Sequence, residues 1–176
     1  MLSVMKIRIV NPSESDELGD ITVRAYRALY GEESLGPYED ELRDVEGRRH
    51  ESEVYVAVDD RGRLVGGVTF VPSPESKMSE FDDPDAAGIR MLAVDPSFQA
   101  QGAGRALVEI CIERARVSRR SKIILHSTPQ MTVAHSLYRK LGFVAAPDLD
   151  LYFRDEEDPE SEPFHLMAFT MEIPAP

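Results

Sequence analysis

Between Gly88 and Arg105 the chain reads GIRMLAVDPSFQAQGAGR, a stretch whose residue types and spacing suit it to hold a phosphate. Ile89 to Val94 is mostly apolar and short enough for a buried strand. Asp95-Pro96 ends that run, and Gln99-x-x-Gly102-x-Gly104 opens a helical pattern that continues to about Arg119. The first backbone N–H groups of a helix have no partner inside it, and the helix dipole places partial positive charge there. Gly102 and Gly104 carry no side chain, so an anion can approach the backbone closely. A P-loop does not fit, because no Lys-Ser or Lys-Thr follows Gly104. A dinucleotide fingerprint does not fit either. Its third glycine would fall on Leu107, and no ribose-binding acid stands at the expected offset.

A third pattern matches. The stretch resembles the acyl-CoA-binding motif of the GCN5-related N-acetyltransferases, [QR]-x-x-G-x-[GA] after a strand, here Gln99, Gly102 and Gly104. A second stretch, MTVAHSLYRKLGF from Met131, resembles the family's helix A-x-x-L-Y-x-x-L-G-F. Ala134, Leu137, Tyr138 and Leu141 fall at helical spacing on one face, and Gly142 is the expected C-terminal stop. The family usually has Asn three residues before the alanine, where its side chain contacts the cofactor. Here that position is Met131.

The resemblance implies an α/β fold with a mixed, mostly antiparallel sheet and flanking helices. A central parallel strand pair would be splayed to grip acyl-CoA. It implies acetyl transfer from acetyl-CoA to a primary amine by direct attack. Pantetheine would bond the exposed backbone of the strand at Leu92, Ala93 and Val94. The turn Gln99, Gln101, Gly102, Ala103, Gly104 and Arg105 would hold the pyrophosphate, with Met131 and Ala134 also beside the cofactor. Tyr138 matches the tyrosine that protonates the departing thiolate, and its hydroxyl is protonated at neutral pH. A core tyrosine on an amphipathic helix is the plainer reading of the same residue. A catalytically idle acyl-CoA sensor or interaction module of this fold is the alternative to an enzyme.

Acetyl transfer to an amine also needs a base, and the sequence leaves it open. His126 ends the strand expected across the splay, and its ordinary pKa suits the task. A histidine closing a strand is more often simply a hydrogen-bonded rim residue. Glu80, Asp82, Asp83 and Asp85 precede the cofactor strand and could act as the base directly or through water, though most of them read more plainly as a solvated acidic loop. The acceptor pocket should be built by the first two helices, which places Tyr26, Tyr30, Glu32, Glu33 and Tyr38 near it. Aromatic rings with acids suit a cationic amine. A small-molecule amine, a peptide N-terminus and a protein lysine all remain open as acceptors, as does homodimerisation. No His/Cys cluster has metal-ligand spacing. Cys111 is the only cysteine and sits at helical spacing beside Leu107 and Ile110, so it reads as a buried thiol.

With 176 residues, 42% hydrophobic and 30% charged, the chain reads as a single domain over residues 1–176. It has no 18-residue apolar run to span a membrane. MLSVMKIRIV reads as a first strand rather than a signal peptide, and cytoplasm is the default compartment. The net charge of −12 is unevenly spread: residues 1–87 carry −10, 88–143 carry +6 and 144–176 carry −8. The positive segment holds both motifs. Its cations either gather an anionic cofactor or complement a helix C-terminus. The acidic remainder argues against a nucleic-acid partner.

These residues need a scaffold. Val4 to Val10 alternates as a strand, and Pro12-Ser13 precedes a helix from about Glu14 to Tyr30 with Leu18, Ile21, Ala25 and Leu29 on its apolar side. Gly31 to Pro37 is a loop, and Tyr38 to Glu46 is a second helix. Glu53 to Val58 and Leu64 to Val71 form a hairpin across Asp60-Arg61-Gly62. Pro72 to Ala87 is a long loop before the cofactor strand, and Lys122 to His126 is the strand after its helix. Val144 to Phe153 and Phe164 to Ile173 are late strands. The run RDEEDPESEP between them is too charged to pack.

Overall fold

The computed structural model describes residues 4–31 and 35–175. Among them a first strand β1 (Lys6–Ile9) leads through a 3-10 turn into α1 (Ser15–Tyr30). Asn11 and Glu14 close that turn reciprocally as a capping box, and Arg8 grips the Glu14 carboxylate at 2.7 and 2.9 Å. Leu18, Ile21 and Ala25 of α1 are buried as the spacing requires, but Leu29 points to solvent, 47% exposed.

The second helix is two helices. α2 (Tyr38–Arg43) and α3 (Val45–Glu51) break at Asp44, whose carboxylate accepts the Gly47 N–H at 2.8 Å and caps α3. A Cβ on Gly47 would lie 2.2 Å from that carboxylate, so the cap depends on glycine there. Arg48 reaches back from α3 and donates to the Glu41 and Leu42 carbonyls at 2.6 and 2.9 Å, satisfying acceptors at the end of α2.

β2 (Glu53–Val58) and β3 (Leu64–Val71) form the expected hairpin. β4 (Ala86–Val94) begins before Ile89 and takes in the end of the anticipated loop. It is followed by α4 (Ala103–Val117), β5 (Lys122–Ser127) and α5 (Thr132–Leu141). The late strand from Val144 to Phe153 is divided into β6 (Val144–Ala145), a 3-10 turn at Pro147–Leu149, and β7 (Leu151–Phe153). Pro147 has no N–H for a ladder and a fixed φ, which suits the first position of that turn. β8 (Phe164–Glu172) completes the fold and pairs with β5, β6 and β7.

The strands run β1-β2-β3-β4-β5-β8-β6, with β7 on β8. Every pairing is antiparallel except β4 with β5. This parallel pair is joined from Ala86↔Lys122 to Ile89↔Leu125, whereas β4 runs on to Val94 and β5 to Ser127. The strands part because β4 is bulged. Gly67 and Thr69 of β3 oppose Ala93 and Arg90, so β4 holds one extra residue over this span. Met91 there has φ +52°, and such a bulge bends and twists its strand.

Helices cover both faces. On one, α4 and α5 pack Leu107, Cys111 and Tyr138 against Ala57, Leu125 and Phe169. On the other, α1 and α3 pack Leu18, Ile21 and Val45 against Val54 and Val56. Val23, Leu42 and Met91 form a further cluster with Tyr26, Tyr30 and Tyr38. Cys111 is buried, and its surroundings push the thiol pKa up, so it stays protonated. Among the described residues no helix is long and apolar enough to cross a membrane, and no group of acidic, His and Cys side chains is placed to hold a metal.

Candidate functional site

Where β4 and β5 part, a cleft of about 550 Å³ opens. Its walls come from the parted strands, from α1 and α2, and from the β7–β8 hairpin. Ile89, Arg90 and Met91 face His126, Ser127 and Thr128, because these are the residues at and beyond the last parallel pair. Tyr26, Tyr30 and Tyr38 form one wall, with ring centroids 6.3 Å apart for the first two and 6.2 Å for Tyr26 and Tyr38. The Tyr30 hydroxyl meets that of Thr128 in a short hydrogen bond, tying α1 to the end of β5. Glu32 and Glu33 lie outside the described residues.

Glu80 sits at the centre of the charged part of the cleft. One carboxylate oxygen is 3.1 Å from Arg90 and the other 3.5 Å from His126 Nδ1. The other nitrogen of His126 is 3.0 Å from the Leu149 carbonyl. Burial pulls the His126 pKa down, but Glu80, the Leu149 carbonyl and Asp150 outweigh it and leave it above the ordinary value. Both ring nitrogens therefore face acceptors, the arrangement that suits an imidazolium donating twice. Of the four acids before the cofactor strand only Glu80 faces the cleft. Asp83 pairs with Lys122 at 2.9 Å, while Asp82 and Asp85 are exposed.

The glycine turn lies at the N-terminus of α4. Gly102 caps the helix with φ +88°, Ala100 before it has φ +62°, and no side chain among the described residues caps this end. The first bond into the helix is Ala106 N–H to the Gly102 carbonyl, so the N–H groups of Ala103, Gly104 and Arg105 have no helical partner. A Cβ on Gly104 would stand 3.6 Å from Leu137 and 3.7 Å from Val94, which places this residue where α4, α5 and β4 meet. Leu92, Val94 and Ala134 pack on the same face, Ala93 pairs with Gly67, and Gln99 and Gln101 are exposed. Met131 lines the cleft.

Tyr138 is 5% exposed, its ring 5.9 Å from both Phe143 and Phe169. Burial pushes its pKa up, so the hydroxyl keeps its proton. The basic cluster takes the structural role. Arg114 forks onto Glu53 at 2.8 Å, Arg116 pairs with Glu113, and Arg120 donates to the Pro84 carbonyl at 2.8 Å. All lie at the C-terminal end of α4 or beyond it, about 20 Å of helix away from the glycine turn.

Sequence reasoning passed over Arg90, Glu41, Thr128, Phe153 and Phe164, all of which line the cleft. Arg90 had a signal: an arginine in an otherwise apolar strand must find an anion or an opening. Chemically, the cleft offers a carboxylate between a guanidinium and an imidazole, aromatic walls and a gap between parallel strands. The adjoining face offers unpaired helix N–H groups.

The model of the acetyltransferase (GNAT) family matches residues 16–143. Over 57 residues, 32% of this chain, the sequence is 44% identical to GCN5-related N-acetyltransferase 1, chloroplastic, of Arabidopsis thaliana. The chain spans about a quarter of the length of the curated relatives it matches, 27% in each. Two solved structures share the fold at low identity. The GNAT-family acetyltransferase of Staphylococcus aureus aligns at a TM-score of 0.72 and 15% identity, covering 97% of this chain and 100% of that one. The acetyltransferase YncA of Salmonella typhimurium, solved with acetyl-CoA, aligns at 0.68 and 18% identity, covering 99% and 96%.

Proposed function

Because the chain belongs to the GNAT acetyltransferase family, we propose that it is an N-acetyltransferase that moves an acetyl group from acetyl-CoA directly to a primary amine. The carrying observation is the parting of β4 and β5 beyond Ile89↔Leu125, with Glu80 on the wall of the cleft that opens there. The pyrophosphate lies on the free N–H groups of Ala103, Gly104 and Arg105, flanked by Gln99, Gln101 and Gly102. The pantetheine arm runs along the unpaired edge of β4 at Leu92, Ala93 and Val94, past Met131 and Ala134. The acceptor enters between Tyr26, Tyr30 and Tyr38.

Glu80 takes one proton from the acceptor ammonium, and the freed amine attacks the thioester carbonyl carbon. Backbone N–H groups of β4 past the last parallel pair stabilise the oxyanion. The C–S bond then breaks, the thiolate takes its proton from Tyr138, the remaining extra proton of the amide nitrogen passes through solvent to restore Tyr138, and Glu80 releases its proton to solvent. His126 and Arg90 hold the Glu80 carboxylate in place, so His126 is a positioning residue rather than the base. The acceptor is a positively charged small-molecule or peptide amine.

Acetyl-CoA turnover with a panel of amines tests this reading. Amine-dependent release of CoA thiol supports it. A rise in melting temperature with acetyl-CoA but no turnover with any amine favours the idle acyl-CoA binder. No shift at millimolar acetyl-CoA overturns both.

A further inference from the structure

Two carboxylates line the cleft, and the transfer chemistry above uses only one of them. Glu80 is met by Arg90 at 3.1 Å and by His126 at 3.5 Å. Glu41 has no cationic partner among the described residues, although its helix neighbour Glu39 has two, Arg27 at 2.7 Å and Arg43 at 3.1 Å. The position of Glu41 is nonetheless fixed. Its backbone carbonyl accepts from the buried Arg48 at 2.6 Å. Its side chain stands one turn beyond Tyr38, on the same face of α2.

Tyr38 is the residue that the two acids share. Burial raises its hydroxyl pKa, Arg90 opposes that rise, and Glu80 and Glu41 both add to it. Between the two carboxylates the cleft is therefore bordered by the Tyr38 ring, with the Tyr26 ring edge-on to it at 6.2 Å. A carboxylate beside aromatic faces attracts a cation by charge pairing and by the ring quadrupole. Acetyl transfer consumes one ammonium, at Glu80, so the charge of Glu41 is left for another group. A single acceptor meets both acids when it carries two cations joined by a flexible chain, whose methylenes then lie against the tyrosine rings.

Resting on the transfer reading above, we propose that Glu41 is a specificity-determining residue, which anchors the second cation of a linear diamine while its other amine is acetylated at Glu80. Steady-state kinetics with unbranched diamines of graded length, each beside the monoamine of the same length, test this. The readout is the ratio of kcat/KM for diamine over monoamine. Wild type should favour one length of diamine by about fivefold to thirtyfold. Glu41→Gln should lower that ratio about threefold to tenfold and flatten its dependence on length. Comparing the ratio between proteins cancels the diamine's second reactive amine and its different pKa. Glu41→Asp keeps the charge but draws it back by a methylene, so the preferred diamine should become longer.

A ratio equal in wild type and Glu41→Gln overturns the inference and leaves the transfer reading standing. A lower melting temperature beside that result would assign the acid to the dipole of α2. A ratio that is flat across chain length, and the same in Glu41→Asp as in wild type, reports only the general acidic field and overturns the inference too. Wild type that turns over no amine of either kind overturns the transfer reading itself, and this inference with it.

Discussion

In the transfer proposed above Glu80 would carry the heaviest chemical demand of any side chain in the cleft, because an ammonium cannot attack a thioester until it loses a proton. Glu80→Gln keeps the shape and removes the basic lone pair, and should lower kcat/KM by about a hundredfold to ten-thousandfold. The gap should narrow as pH approaches the amine's own pKa, where free amine needs no base; a pH–rate profile reads this directly. Tyr138→Phe keeps the packing against Phe143 and Phe169. Turnover should fall about tenfold to a thousandfold with little change in acetyl-CoA affinity, and undiminished turnover would assign Tyr138 to the core. His126 gives a pH signature in stability. Its pKa is raised in the fold, so its protonated form is the one stabilised. That contribution is complete below the ordinary histidine value and is lost as pH rises through the higher folded value. The melting-temperature difference between wild type and His126→Gln should therefore shrink as pH rises across this window.

At the scale of elements, residues with strong local rules were legible and the breaks between elements were not. β2 and β3 run between the expected residues, because apolar runs bounded by a turn such as Asp60-Arg61-Gly62 leave little choice. The glycine turn and the α5 face were legible for the same reason. The break at Asp44 was hidden because its cap needs Gly47 and its far side needs Arg48, contacts that exist only once α2 and α3 have turned on each other. Pro147 was a visible signal that the long late strand had to divide. The cleft itself was least legible: the β4 bulge at Met91 and the meeting of Glu80, Arg90 and His126 bring together residues from separate elements. Gly47→Ala tests the α2–α3 corner. Its Cβ would displace the Asp44 cap, costing about 1 kcal/mol, or roughly 2–4 °C for a chain of this size. Since α2 supplies Tyr38 and Glu41 to the cleft, KM for the amine should rise while acetyl-CoA affinity holds.

Over the whole molecule, charge is arranged so that the chain beside the mouth of the cleft is acidic, the side from which the proposed acceptor would approach. The cations of the middle segment are largely spent on ion pairs and carbonyls at the far end of α4. The β7–β8 connection carries six acids and one arginine between Arg154 and Pro163, and Phe153 and Phe164 at its two ends line the cleft. A field of that sign raises the local concentration of a cationic amine and lowers that of an anionic one, until salt screens it beyond about 10 Å. With a polyamine or basic peptide as acceptor, kcat/KM should therefore fall with added salt while kcat changes little. Replacing Asp155, Glu156, Glu157, Asp158, Glu160 and Glu162 with their amides should lower kcat/KM about tenfold at low salt, and the two proteins should converge at high salt. Surface acidity can also serve solubility alone. In that case the amide variant would match wild type at every salt concentration, and neutral or acidic amines would compete with polyamines on equal terms.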